Sequence, residues 1–169
     1  KSGVLGLFKP GNPGAQVFPT EGPGTGGGTL VIQNYCTAVP NSSGQTSTMI
    51  ASNVDLTLRT MDLEAVNLTQ NAFGYFLASL TQGFIPNAGG SQGNLCLAGD
   101  IGRGVGGGIL FSGPTGAFDT LVDLDQIPSP TGMTSAMSGD RWHFQAWHRD
   151  SVLGFATSNF SDGVWVQFP

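Results

Sequence analysis

Several residues in this sequence have types and spacings that could do chemistry. Ser91 stands in Gly89-Gly90-Ser91-Gln92-Gly93, a literal match to the G-x-S-x-G nucleophile elbow. That chemistry needs a strand before the serine and a helix after it. Here a Pro/Asn turn precedes it and Leu95-Cys96-Leu97 reads as a strand, so the segment reads as a turn. Gly102-Arg103-Gly104-Val105-Gly106-Gly107 matches G-x-G-x-x-G. A dinucleotide site would need a helix N-terminus against the pyrophosphate. The following Gly108-Ile109-Leu110-Phe111 and Gly113-Pro114 cannot make that helix, and this segment reads as a loop.

His143 and His148 are the only histidines. On a regular strand over 141–149, odd and even positions face opposite sides. The two rings then cannot share a metal or act as a pair. Trp142, Phe144, Ala146 and His148 form one face, expected to be core. His143, Gln145, Trp147 and Arg149 form the other, on which Trp147 with Arg149 could make a small sugar-stacking platform. Asp119, Asp123 and Asp125 do not have EF-hand spacing and read as solvated positions. Asn41-Ser42-Ser43, Asn67-Leu68-Thr69 and Asn159-Phe160-Ser161 have the form of glycan acceptor sequons and read as turn residues. Cys36 and Cys96 lie outside any Cys-x-x-Cys or Cys/His cluster, which argues against zinc. They form one disulfide if the protein is exported; the alternative is two buried thiols. No cofactor, metal or acid/base constellation is implied, and an enzyme is not expected.

The elements that must position these residues are strands. Only 10% of the 169 residues are charged, against roughly 25% in an average protein. Gly (27) and Pro (10) exceed a fifth of the chain, too much turn chemistry for a helical protein. Eleven Phe and three Trp still supply a core. Strand signals fall at 30–35, 54–59, 73–80, 95–97, 118–124, 141–149 and 164–168, with Val54, Leu56 and Leu58 expected on one face. Asp62-Leu63-Glu64-Ala65-Val66 is the nearest approach to a helical turn. Many short strands between Gly and Pro turns predict an all-β fold, a β-sandwich, with the jelly roll as one form of it. The net charge of −5 and the scattered basic residues exclude clustered Lys/Arg for nucleic acid or anionic membranes. No apolar run is long enough to span a bilayer.

Residues 1–28 read differently from 29–169. Val4, Leu5, Leu7 and Phe8, then Val17 and Phe18, are short apolar pieces strung on Gly/Pro-rich linkers. Residues 9–28 could reach roughly 60–70 Å at about 3.3 Å per residue. An apolar strand at a chain end is a template for pairing with another chain. Inserted into a neighbouring subunit, it would join copies head to tail into a homopolymeric filament. The bland alternative is that the arm folds back onto its own sheet.

The stretch from Tyr35 to Phe168 also carries a set of motifs. They are Tyr35-Cys36-Thr37-Ala38-Val39-Pro40-Asn41-Ser42-Ser43-Gly44, Gly74-Tyr75-Phe76-Leu77 with Thr81-Gln82-Gly83-Phe84, and Gly93-Asn94-Leu95-Cys96-Leu97 with Ile101-Gly102-Arg103. Trp142-His143-Phe144-Gln145-Ala146-Trp147-His148-Arg149-Asp150 and Ser158-Asn159-Phe160-Ser161-Asp162-Gly163-Val164 complete the set. Across these the chain resembles a C-terminal module of large secreted bacterial proteins, notably from planctomycetes and myxobacteria. The resemblance implies an exported β-module, a Cys36–Cys96 link and no catalytic activity. It does not cover residues 1–28. Lys1 in place of Met fits a mature chain whose leader has been removed. Two functions are therefore expected to compete: an extracellular, self-assembling structural subunit joined through its N-terminal strand, and a secreted module that binds glycans or other surface polymers.

Overall fold

A computed structural model describes residues 15–18, for their strand alone, and residues 28–169. The strands in chain order are β1 (Ala15–Phe18), β2 (Leu30–Tyr35), β3 (Thr48–Asp55), β4 (Thr60–Val66), β5 (Phe73–Ser79), β6 (Thr81–Pro86) and β7 (Asn94–Ala98). They continue with β8 (Gly102–Arg103), β9 (Leu110–Phe111), β10 (Phe118–Asp123), β11 (Ile127–Ser129), β12 (Gly132–Thr134), β13 (Arg141–Val152) and β14 (Phe155–Gln167). The protein is all-β. A large sheet runs β1-β2-β14-β13-β5-β8, with β9 also on β5, and a second sheet runs β10-β4-β3. Both are antiparallel.

The two sheets close over one core. Met49 and Ala51 of β3, Met61, Leu63 and Ala65 of β4, and Phe118 and Val122 of β10 come from the small sheet. Trp142, Phe144 and Ala146 of β13, Phe76 and Ala78 of β5, and Val164 and Val166 of β14 come from the large one. Trp142, Phe144, Ala146 and His148 are all buried on this side, as the alternation of the strand requires. The other face of the large sheet is not open along its whole length. The β6–β7 hairpin lies across part of it and packs Leu97 onto Leu77 and Phe160. The centre of the sheet is thus buried on both sides, which penalises a polar side chain left unpaired there. Gln145, fully buried, hydrogen-bonds the backbone of Asn94, Cys96 and Ser161.

Cys36 and Cys96 are joined, tying the end of β2 to β7 of the hairpin. Tyr35 adds a second tie, its hydroxyl donating to the Cys96 carbonyl at 2.9 Å. Between β13 and β14 the register breaks: Gln145 faces Gly163 but Trp147 faces Phe160, so β14 carries one extra residue. The Ser161 hydroxyl accepts from Ala146 N–H at 2.9 Å within this bulge.

Three expectations are corrected. The run 62–66 is part of β4, not a helical turn; Met61, Leu63 and Ala65 are buried while Asp62, Glu64 and Val66 are only half-buried, a period of two. The strand expected at 54–59 is β3, centred earlier. It ends at Asp55, whose carboxylate accepts from the N–H groups of Thr57 and Leu58 and closes a turn, leaving Leu58 exposed. Asn159 is not a turn residue but lies buried within β14, where its amide donates to Val39 and Pro40 carbonyls and to Asp150. Of the arm, Ala15–Phe18 pairs antiparallel with Leu30–Gln33 of its own chain and forms the outer edge of the large sheet. Val4, Leu5, Leu7 and Phe8 lie outside the described residues.

Candidate functional site

The fold places the two literal motifs and the three aspartates as follows. Ser91 follows a short 3₁₀ turn (Ala88–Gly90), is buried, donates from Oγ to the Ser158 carbonyl at 2.8 Å and accepts from Gly93 N–H. The Gly-rich segment after β8 is a set of turns with Gly104, Gly106, Gly107 and Gly108 at positive φ, and no helix follows. Asp119 and Asp123 are exposed on β10, and Asp125 pairs with Arg59 at 2.8 Å.

The two histidines face opposite sides of β13, and both are buried. His148 Nε2 lies 3.2 Å from Ser47 Oγ, and its Nδ1 is 3.1 Å from the Arg149 carbonyl. A Ser–His contact could suggest a nucleophile, but Ser47 is only 1% exposed and its hydroxyl is donated to the Asn67 carbonyl. Burial holds the His148 pKa below its ordinary value. His143, on the hairpin side, meets the Tyr35 ring edge-on and has no hydrogen-bond partner for Nδ1. Burial, with the nearby Arg141 charge, lowers its pKa to about 4. Asp150 and Asp162 anchor backbone. Asp150 accepts from Ser42 N–H, Thr69 Oγ1 and Asn159, and Asp162 accepts from Met49 N–H and Asn34. Burial raises the Asp162 pKa to about 6. These groups hold the 37–47 loop and the two sheets together.

The accessible chemistry lies where the hairpin stops covering the large sheet. Trp147 of β13 is paired in register with Tyr75 of β5, and both side chains point to the hairpin side. Their rings stack, centroids 4.8 Å apart and planes inclined by 24°. Arg149, two residues along the same strand face, holds its guanidinium 5.5 Å from the Trp147 ring centroid. Two hollows flank this group. One, of about 360 Å³, runs from Trp147 and Tyr75 to Ala88 and Leu95 on the hairpin side and Ile101 and Arg103 at the sheet edge. The other, of about 400 Å³, is walled by Phe73 and Ile109 and is almost wholly apolar. Phe73 in turn meets Phe111 at 5.2 Å. Gly74 separates Phe73 and Tyr75 and allows β5 to sit tightly here, since a Cβ would run into the Phe118 ring and the Trp147 carbonyl.

The strand alternation therefore brings Trp147 and Arg149 together as expected, and Tyr75 joins them. Sequence reading missed Tyr75, Phe73 and Arg103. The signal for the first two was the period of two in Phe73-Gly74-Tyr75, on the face opposite Phe76. Arg103 sat in a glycine run that read only as loop. Chemically, the cleft offers stacked, part-exposed aromatic faces, apolar walls and two guanidinium groups. Ser158 also lines it, and among the described residues no carboxylate does. Comparison with protein-family models, curated proteins and solved structures finds no match to this chain.

Proposed function

We propose that the protein is a secreted, non-catalytic module that binds a polysaccharide on the cleft around Trp147. The observation that carries this reading is the Tyr75–Trp147 stack beside Arg149, half-exposed in a hollow open to solvent. Strand pairing fixes the aromatic pair in place, so the ring surface that the stack leaves uncovered is pre-organised for the apolar face of a sugar ring, and binding it orders no loop. Arginine donors at its rim suit sugar hydroxyls and acidic groups. Affinity electrophoresis through gels containing a panel of plant, algal and bacterial polysaccharides tests it. At least one polymer should retard the protein, and Trp147→Ala and Tyr75→Ala should each remove the retardation while thermal unfolding remains cooperative. Retardation that survives both substitutions overturns the reading.

A second reading, self-assembly into a filament, rests on a different observation. The edge of β2 is covered by a strand of the N-terminal arm, so that edge is suited to accept such a strand. The same pairing made in trans by another copy would join subunits. Deleting residues 1–8, and separately 1–19, discriminates. Polymers seen by negative-stain microscopy for the full chain but not for either truncation support it, and equal assembly, or none by the full chain, removes it.

A further inference from the structure

We infer that the polymer taken by the Trp147 cleft is acidic, a polysaccharide whose units carry carboxylates; this rests on the polysaccharide reading and narrows it. The chain is poor in cations, with six Lys and Arg against eleven Asp and Glu. Four arginines lie among the described residues. Arg59 is held by Asp125, and Arg141 lies over the Trp165 ring at 4.2 Å and donates to Gln167. The other two, Arg103 and Arg149, are both exposed and line the cleft, and neither takes part in an ion pair among the described residues. Asp150, beside Arg149 in sequence, is turned to the other face and occupied by Ser42, Thr69 and Asn159. Of the three described guanidinium groups without an ion pair, this acidic protein has thus placed two on one aromatic hollow.

Their placement also has a direction. Arg149 lies one step beyond Trp147 on β13, and Arg103 pairs with Leu77, one step beyond Tyr75 in the opposite sense on β5. The two cations therefore sit diagonally on either side of the stacked rings, about 16 Å apart by strand and row spacing. A sugar ring resting on the uncovered surface of the Trp147–Tyr75 stack leaves the units before and after it within reach of the two guanidinium forks. Those forks match carboxylates in a bidentate geometry that neutral hydroxyls do not reproduce. Single-stranded nucleic acid shares flat rings and negative charge, but the net charge of −5 opposes so dense a polyanion.

The test compares de-esterified polygalacturonate with its fully methyl-esterified form, which keeps the ring and removes the charge, and includes an oligo-dT probe. Binding to the full chain is measured by calorimetry. The expected result is about tenfold or greater preference for the charged polymer, lost in the Arg103→Gln/Arg149→Gln double variant, with Trp147→Ala binding neither. Both substituted arginines are exposed, so folding is not at stake. Equal affinity for the two polymers, or a preference that the double variant keeps, overturns the acidic assignment and leaves the polysaccharide reading standing. Failure to bind either polymer overturns the assignment, and only silence across the whole polysaccharide panel removes the reading beneath it. Tighter binding of oligo-dT than of polygalacturonate overturns the assignment in favour of nucleic acid.

Discussion

The side-chain amide of Gln145 accepts the backbone N–H of Cys96 at 2.9 Å, across the gap between the large sheet and the hairpin. The same amide donates to the Asn94 and Ser161 carbonyls, so one buried residue satisfies three backbone groups on two elements. Gln145→Leu keeps the volume and strands all three. The variant should lose about 3–5 kcal/mol of stability, since each buried polar group left without a partner costs roughly 1–3 kcal/mol. Urea unfolding checks it, and a loss below 1 kcal/mol would mean that water replaces the amide.

Linking residues 60 apart, the Cys36–Cys96 disulfide closes a long loop of the unfolded chain. In the chain-entropy account this is worth about 4 kcal/mol. Cys36→Ser/Cys96→Ser should lower the unfolding free energy by about that amount and detach the hairpin first. Mass spectrometry after alkylation without reductant should find neither cysteine modified in the native protein.

Stability should fall as the medium is acidified from pH 6.5 towards pH 4. Both histidines are buried in their neutral form, and the His143 pKa is lowered to about 4. A histidine with a depressed folded pKa contributes stability that is whole above 6.5 and lost as protons bind the unfolded state preferentially. His143 alone can account for about 2–3 kcal/mol over that range. Asp162 acts in the opposite sense: its pKa, raised to about 6, makes the folded state take up a proton first, so it adds stability between about 6 and 4. Hence His143→Phe should flatten the acid limb of a stability-against-pH curve, and Asp162→Asn should steepen it. Chemical denaturation at half-unit pH steps reads both.

Leu153 and Gly154 close the β13–β14 hairpin with φ of 50° and 83°, a two-residue turn in which both residues are left-handed. Leucine is poorly suited to that region, and its side chain is 93% exposed. Leu153→Asn should stabilise the fold by about 0.5–1 kcal/mol. Differential scanning calorimetry would show a higher Tm. An unchanged or lower value would mean that the apolar tip contacts something in the folded chain.

The all-β class was legible because alternation and turn residues are local signals. Leu30–Tyr35 and the start of β13 at Arg141 fall where the sequence puts them. The segment 60–66 misleads because Leu63, Glu64 and Ala65 are good helix formers, while the alternation that decides it, Met61/Leu63/Ala65 against Asp62/Glu64, is enforced by β3 and β10 on either side. The candidate site was half legible. Trp147 and Arg149 share a face by strand parity alone, but Tyr75 reaches them only through the pairing of β5 with β13, a contact between residues far apart in the chain. The hairpin β6–β7 was invisible as a covering layer for the same reason. Its β6 residues Phe84 and Ile85 are exposed and carry no core signature.

The extra residue in β14 decides which layer each half of that strand serves. Phe160 and Val164 are both even-numbered, so an unbroken strand would send them to one side; instead Phe160 packs under the hairpin and Val164 enters the main core. The chain thus changes sides without changing strand. In mutational terms this region counts in parity, not in length. Removing Ser161 would not shorten the strand so much as invert its first half, sending Phe160 and Ser158 away from Trp147 and leaving the cleft without one wall. Insertions and deletions between Asn159 and Gly163 should therefore be among the least tolerated in the chain, while equal changes at the Leu153–Gly154 turn should pass.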